Sequence, residues 1–423
     1  MFCSCRTIGQ VTQQQTNTFL NDSVVATGHV GISIYEPATG KYLYNYNAEK
    51  NFIPSSNVKL FSLYAGLKYL GDSLVGLRYL ENDTSIIIYP SGDPTLLHVD
   101  FKSQPVISFL KSKNKNIYIV DAFKSNAYGG GWSWSDFSDY YMAERSALPV
   151  YGNTVAFMLN KNRFETIPSA SSAFTFLQNF ADSNKETTVL RDFYSNTFTT
   201  IQNNKSNETV FTPFITSAAI AAKLLADTLH KNVGVIRLGG ISLNDINNLK
   251  KIHSRPVDSL LKPMMFNSDN FFAEQTLLMA SNENLGYMSD GEMIDFLLKN
   301  DLKDLPTKPR WADGCGLSRY NLFSPKNFIY ILDKMQNEFG LERMKRILPT
   351  AGQGTLRGYY ENAAGSIYAK TGSISNNVSL SGYLYTKQNK LLLFSVMINN
   401  YSGSGRAGRK AIEKFLQEVR AKN

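Results

Sequence analysis

The stretch Phe52–Gly71, FIPSSNVKLFSLYAGLKYLG, reads as the mouth and body of one helix. Pro54 and Ser55 are start signals, and the hydroxyl of Ser55 or Ser56 is expected to cap the free amides of the first turn. Leu60, Leu63, Leu67 and Leu70 then recur at helical spacing until Gly71 ends the run. Residues three apart on a helix are neighbours, so Ser56 and Lys59 share a face. Alone, that pair is cheap. The same Ser-x-x-Lys spacing recurs at Ser112–Lys115 and Ser259–Lys262, and a capping serine beside a snorkelling lysine explains it without chemistry.

Bulk properties exclude several classes. A chain of 423 residues exceeds one ordinary domain, and 26 Phe and 23 Tyr supply sizeable cores. No apolar run reaches the ~18 residues of a membrane span. The net charge of +9 comes from scattered lysines, with no basic stripe or aromatic RNA-binding motif, so nucleic acid is not an expected partner. Cys3, Cys5 and Cys315 cannot build a disulfide framework, and the four histidines show no metal-ligand spacing. No metal or cofactor is expected, and any nucleophile must find a base other than histidine.

The ends of the chain read as parts of one sheet. HVGISIYEPATGKYLYNYN, from His29, alternates at Val30, Ile32 and Ile34, turns at Pro37–Gly40 and returns through Tyr42, Tyr44 and Tyr46. VSLSGYLYTKQNKLLLFSVMI repeats the device around Lys387–Asn389, and Arg409–Arg420 closes the chain with Ile412, Phe415, Leu416 and Val419 on one face. Strands at both termini with helices between them indicate an α+β domain. Residues 76–254 differ: Ser, Asn and Thr are frequent, and short β-like runs such as SIIIYP, NIYIVDAF and VGVIRLGGI recur. They read as a largely β insertion holding two small domains, flanked by the two parts of the α+β domain at 1–75 and 255–423.

Two further motifs give the opening pair its partners. FNSDNFFAEQTLLMA carries Ser268-Asp269-Asn270 before a helical run, and YAKTGSISNNVSLSGYL carries Lys370-Thr371-Gly372 before a strand. Ser-x-x-Lys, Ser-x-Asn and Lys-Thr-Gly, in that order, form the set found in penicillin-binding proteins and β-lactamases. PSSNVKL, SGDPTL, YMAERSALPVYGNTV, MMFNSDNFFAEQ, DGCGLSRYNLFSP and LPTAGQGTLRG extend the likeness over about residues 30 to 400. The chain resembles the low-molecular-mass class C penicillin-binding proteins, the D-alanyl-D-alanine carboxypeptidase/endopeptidase family. The 212 positions between Ser56 and Ser268 match that family's inserted domains. Cys315 departs from the typical DGSGLSR and is expected to make the site sensitive to oxidation or thiol reagents.

The resemblance implies a transpeptidase-like domain, an antiparallel sheet flanked by helices, with Ser56 as nucleophile and Lys59 as its base. A serine hydroxyl is a poor nucleophile unaided. Lys59 serves only as a free amine, which burial and the nearby charge of Lys370 would favour. Ser268 is expected to relay a proton to the leaving group, and Asn270 to bond Lys59 and the substrate amide. Lys370 and Thr371 suit the terminal carboxylate of D-Ala-D-Ala. Gly372 lets the strand approach the substrate, and the amides of Ser56 and Ser373 would form the oxyanion hole. Asp136, in GWSWSDFSDYY, is a candidate for pairing with an ammonium on the peptide stem, flanked by Trp134 and Tyr141; an exposed loop packing on its own aromatics is the competing reading. Glu274 and Asp313 read as helix-start and turn residues.

Peptidoglycan stem peptides are the expected substrates and β-lactams the expected covalent inhibitors. A β-lactamase or esterase, or a wall-binding protein without catalysis, would carry the same motifs. The expected location is the periplasm or cell envelope, because the substrate is there. MFCSCRTIGQVTQQQ shows no complete signal peptide, which fits a cytosolic protein or a start inside or after a targeting segment; Cys3 or Cys5 would suit a lipoprotein signal, and two terminal cysteines without a role are the competing reading.

Overall fold

The computed structural model describes residues 13–121, 123, 125–160, 163–169, 171–180, 188–202, 207–237 and 248–422, so Cys3 and Cys5 lie outside the described residues. The chain divides into two compact units: Met1–Tyr64, Leu261–Asp269 and Phe296–Asn423 form the first, Ala65–Leu260 and Asn270–Asp295 the second. The first begins with α1 (Gln13–Leu20), the hairpin β1 (His29–Glu36) and β2 (Lys41–Tyr46), and a 3-10 turn at Ser55–Val58 that leads into α2 (Lys59–Tyr69). The second unit holds β3 (Ser73–Glu81), β4 (Ser85–Tyr89), α3 (Pro105–Ser112), β5 (Asn116–Val120), β6 (Thr154–Asn160) and β7 (Arg163–Ile167). It continues through β8 (Thr175–Phe180), β9 (Thr188–Arg191), β10 (Thr197–Gln202), β11 (Asn207–Pro213), α4 (Ala218–Leu229), β12 (Val233–Ile236) and β13 (Lys250–Pro256). The chain then runs through α5 (Asp258–Phe266), α6 (Asn270–Leu285), α7 (Asp290–Lys299), α8 (Pro325–Phe339) and α9 (Leu341–Ile347). It closes with β14 (Ile367–Ile374), β15 (Asn377–Tyr385), β16 (Leu391–Asn399) and α10 (Gly405–Lys422).

In the first unit five strands form an antiparallel sheet in the order β14-β15-β16-β1-β2. The two chain ends meet at its centre, where Ile32 pairs with Val396 and Ile34 with Phe394. Side chains alternate between faces along a strand, so β15 is buried by different elements on each side. Val378 and Leu380 join the core that holds Ile412, Phe415, Leu416 and Val419 of α10. Tyr383, on the other face, donates its hydroxyl to the Leu332 carbonyl of α8 at 2.7 Å. Each fully buried residue of the α10 stripe contributes roughly 1.5–3 kcal/mol. Phe415 also stacks on Phe19 of α1, with ring centroids 4.7 Å apart.

In the second unit, the three β-like runs noted in the sequence become β4, β5 and β12, and they pair in parallel. They belong to a five-stranded sheet of order β12-β5-β4-β3-β13, accompanied by two three-stranded sheets, β8-β10-β9 and β11-β6-β7. One cluster of buried residues, including Leu77, Ile119, Phe157, Phe198 and Leu225, serves strands and helices from across this unit. Among the described residues no helix is long and apolar enough to cross a membrane.

Candidate active site

The 3-10 turn at Ser55–Val58 forms differently from the expectation. Pro54 takes the cap position of the 3-10 turn and no side chain caps it; the backbone closes the turn itself, with the Asn57 amide on the Pro54 carbonyl at 3.2 Å. Ser55 adopts a left-handed backbone at φ 51°, is buried, and its hydroxyl has no hydrogen-bond partner among the described residues. Ser56 is half-buried, and its Oγ accepts from Lys59 Nζ at 3.0 Å. Its hydroxyl faces the lysine rather than the helix amides, so the capping role falls to neither serine.

Two struts hold this turn on the sheet. Asn399 of β16 brackets Ile53, accepting from its amide at 2.6 Å and donating to its carbonyl at 3.1 Å. Ser379 of β15 donates to the Pro54 carbonyl at 2.7 Å and accepts from the Asn57 amide group. Gly372 is needed at the same place: a Cβ there would lie 2.5 Å from the Pro54 carbonyl oxygen and 2.3 Å from Ser379 Oγ. The glycine of Lys-Thr-Gly thus lets the strand lie against the Ser55–Val58 turn, a reason within the protein beyond the one read from the motif.

The loop around Cys315 closes the other side. Asp313 accepts from the amides of Gly316 at 2.8 Å and Ser318 at 2.6 Å and from Asn321 at 2.7 Å, the turn role expected of it. The knotted loop aims the Cys315 carbonyl at Lys59, which donates to it at 2.6 Å. The thiol itself is wholly buried, so solvent reagents do not reach it, contrary to the expected sensitivity. Gly316, at φ 90°, packs directly on the Ser55–Ser56 peptide: a Cβ would lie 2.0 Å from the Ser55 carbonyl oxygen and 2.9 Å from the Ser56 nitrogen.

Lys370 and Ser268 come together in this unit. Lys370 Nζ donates to Ser268 Oγ at 2.8 Å and to the Thr371 carbonyl at 2.7 Å. Ser268 is held at φ 57° just beyond α5. Burial, then the charges of Lys59 and Arg409, push the Lys370 amine well below the ordinary lysine range. The sequence reading expected such a push on Lys59; the structure places one on its neighbour. Thr371 is buried and Ser373 exposed at the end of β14. Arg409, which the sequence reading passed over as the start of an amphipathic segment, donates from Nε to Ser373 Oγ at 3.2 Å.

The remaining candidates belong to the second unit. Asn270 opens α6 and donates to the Tyr141 carbonyl at 3.0 Å. Asp136 sits in a 3-10 turn, accepting from the Tyr141 hydroxyl at 3.1 Å and from Ser135 at 2.9 Å. Trp134 is exposed and meets Phe193 edge-on at 6.4 Å. Glu274 is no helix-start residue: it is buried one turn into α6, 3.3 Å from the buried guanidinium of Arg145, which also binds Asp290 at 2.5 Å. The two look-alike pairs lead elsewhere. Lys115 binds Glu81 at 2.9 Å, and Lys262 lies over the Phe266 ring at 5.0 Å.

A family model described as the D-Ala-D-Ala carboxypeptidase 3 (S13) family matches residues 12–419. The chain belongs to that family. It is 25% identical to the D-alanyl-D-alanine carboxypeptidase of Actinomadura sp. (strain R39), across 92% of this chain and 81% of that protein. It is 26% identical to the D-alanyl-D-alanine carboxypeptidase DacB of Haemophilus influenzae, across 85% of this chain and 82% of that one. The crystal structure of penicillin binding protein 4 (dacB) from Haemophilus influenzae matches with a TM-score of 0.75 at 21% identity, covering 95% of this chain and 98% of that one. That protein complexed with a novel β-lactam matches at a TM-score of 0.70 and 19% identity, over 96% of this chain and 97% of that one. The α+β class and the family expected from the three motifs are thereby borne out.

Proposed function

We propose that this family member is a serine D-Ala-D-Ala carboxypeptidase/endopeptidase that cleaves peptidoglycan stem peptides through an acyl-enzyme. One observation carries the site assignment: a fully buried Lys59 with its amine 3.0 Å from Ser56 Oγ, within general-base reach. Ser56 Oγ attacks the carbonyl carbon of the penultimate D-Ala and its proton passes to Lys59 Nζ as the C–O bond forms. The C–N bond then breaks, and the departing D-Ala amine takes a proton through Ser268. A water molecule afterwards cleaves the ester and frees Ser56. Burial serves this chemistry because two ammonium groups in one dry cluster repel each other, so the pair gives up its first proton more readily than an exposed lysine.

The amides of Ser56 and Ser373 stabilise the oxyanion, and Asn270 holds the substrate amide. Lys370, Thr371 and the Gly372 backbone receive the end of the stem peptide. Asp136, with Trp134 and Tyr141, takes an ammonium further along it. β-Lactams, which offer a strained amide in place of the scissile bond, acylate the same serine and act as covalent inhibitors. The family's substrate lies in the cell wall, and we assign the protein to the envelope, on the periplasmic side.

Labelled penicillin followed by peptide mapping tests the assignment. The adduct is expected on the peptide containing SSNVK, lost in Ser56→Ala and retained in Ser55→Ala, whose hydroxyl is buried. An adduct on Ser55, Ser112 or Ser259 overturns the site. Mass analysis of digested muropeptides separates terminal D-Ala release from cross-link cleavage.

A further inference from the structure

A cavity of about 320 Å³ opens at one end of the five-stranded sheet of the first unit, where β1 begins and β2 and β16 end. That volume is at the small end of the range of ligand sites. Its walls are His29, Asn47, Lys50, Asn51, Asn399 and Asn400, and Phe52 is the one apolar residue among them. Asn47 and Asn400 leave their strands in left-handed backbone, at φ 46° and 55°, a conformation that asparagine tolerates better than most residues. The Lys50 amide closes a turn on the Asn47 carbonyl at 3.0 Å. Phe52 is fixed by its backbone pairing with Phe323 and by its ring, which lies 2.4 Å from where a Cβ on Gly31 would be. The polar walls have hydrogen-bonding capacity to spare. Asn47 donates from Nδ2 to the Val30 carbonyl at 3.0 Å and keeps its Oδ1 as an acceptor. The side chains of His29, Lys50, Asn51 and Asn400 make no hydrogen bond or ion pair among the described residues. No carboxylate lines the cavity, and Glu49, beside Lys50 in the chain, is tied to Lys326 at 2.6 Å.

We infer that this cavity binds an N-acetylated sugar unit of the glycan strand that carries the stem peptides. The identity of the polymer rests on the functional reading above; the sugar chemistry rests on the walls. Sugar hydroxyls both donate and accept, as the carboxamides of Asn47, Asn51 and Asn400 do, and an acetamido group is itself an amide. Lys50 and the His29 ring add donors for hydroxyl and carbonyl oxygens. A phosphate or carboxylate would meet carboxamide oxygens as well as donors, and an apolar ligand would bury these polar side chains unpaired. The cavity also adjoins the chemistry. Asn399, in its wall, holds both the amide and the carbonyl of Ile53, three positions before Ser56. Phe52 is four positions from Ser56, so it lies no more than about 14 Å from that serine, a distance that a short peptide spans. A sugar held here keeps the polymer beside the serine while its peptide is cut.

The probe is N,N′-diacetylchitobiose, which contains no peptide and so does not compete for a peptidase site. Calorimetric titration of the full chain is expected to give a Kd of about 1 mM. Cellobiose, which lacks the acetamido groups, is expected to bind more weakly. Lys50→Ala combined with Asn51→Ala should weaken chitobiose binding about 10-fold, the effect of losing one or two hydrogen bonds. Asn51→Trp, which fills the cavity, should abolish it. Both sites are exposed, so wild-type melting temperatures are expected and serve as the check on folding. With a muropeptide that keeps its disaccharide, kcat/KM should exceed that for the free stem peptide by the same factor, through KM, and fall to parity in Asn51→Trp. Absence of chitobiose binding to wild type, binding retained in both variants, equal binding of cellobiose, or inorganic phosphate bound in place of the sugar overturns the inference. A wild type that binds chitobiose yet neither releases D-Ala nor is acylated by penicillin overturns the functional reading and leaves the sugar site standing.

Discussion

Gly316→Ala is the sharpest test of how the nucleophile is held. The substitution has two costs. Gly316 sits at φ 90°, where a side chain costs about 1–3 kcal/mol of backbone strain. Its new Cβ would also lie 2.0 Å from the Ser55 carbonyl oxygen and 2.3 Å from the carbonyl carbon, more than about 1 Å inside a tolerable contact, so overpacking adds roughly 1–3 kcal/mol. Both neighbours are backbone, and the relief must come from moving the nucleophile turn or the Asp313 loop that carries the Cys315 carbonyl. A displacement near 1 Å at reacting groups costs about 100-fold. Gly340 provides the matched control, because it has φ 82° and nothing within 4 Å of a new Cβ. Gly340→Ala meets the strain without the clash. The expected outcome is a loss of about 1–3 kcal/mol for Gly340→Ala with unchanged penicillin acylation, and a larger loss for Gly316→Ala with acylation slowed about 100-fold. Urea unfolding and stopped-flow acylation measure the two quantities. Wild-type acylation by a folded Gly316→Ala protein would refute the claim that this loop sets the serine's position.

Two further outcomes follow from buried charge. Arg145→Met leaves the Glu274 carboxylate, 1% exposed, without its guanidinium and should cost about 3–5 kcal/mol; the double change with Glu274→Leu should recover much of it, and a single-variant loss under about 1 kcal/mol in urea melts would be incompatible with the pair. Lys370 is held below its unfolded value near 10.4, so its unfolded form binds more protons, and its contribution to stability is present above that value and lost as pH falls through the depressed one. Lys370→Met should flatten that rise of stability with pH and raise the melting temperature at neutral pH while abolishing turnover; a wild-type slope preserved in the variant would place the titration elsewhere.

How much of this was legible beforehand follows from where each signal lives. The Leu60, Leu63, Leu67 and Leu70 stripe is written at the helical period, and all four are buried. The alternation of Val30, Ile32 and Ile34 likewise became a strand facing the α10 core. The three motifs were readable because their chemistry demands fixed residues at fixed local spacing. Other features have no local mark. Ser55 looked like a cap because serine usually caps, but the pressure of the Asp313 loop and of Ser379 sets its backbone, and both lie hundreds of positions away. The Arg145–Glu274 pair joins residues 129 positions apart, and no periodicity announces such a contact. Arg409 was masked by its own helix, whose apolar stripe accounted for the segment.

The look-alike pairs show what the missing information is. Ser112–Lys115, Ser259–Lys262 and Ser56–Lys59 are identical as spacing. Lys115 is tied to the Glu81 carboxylate at 2.9 Å, while the Ser112 hydroxyl donates to the Phe109 carbonyl at 2.8 Å. Lys262 is exposed and lies over the Phe266 ring at 5.0 Å. Lys59 is wholly buried, donates to a backbone carbonyl and a hydroxyl, and shares its burial with a second lysine whose charge opposes its own. What sets Lys59 apart from these two lysines is its burial and the neighbouring cation, both of which come from β14 and the Cys315 loop, more than 250 residues downstream. The surroundings that the proposed chemistry needs around Ser56 and Lys59 form only when the last third of the chain has folded over them.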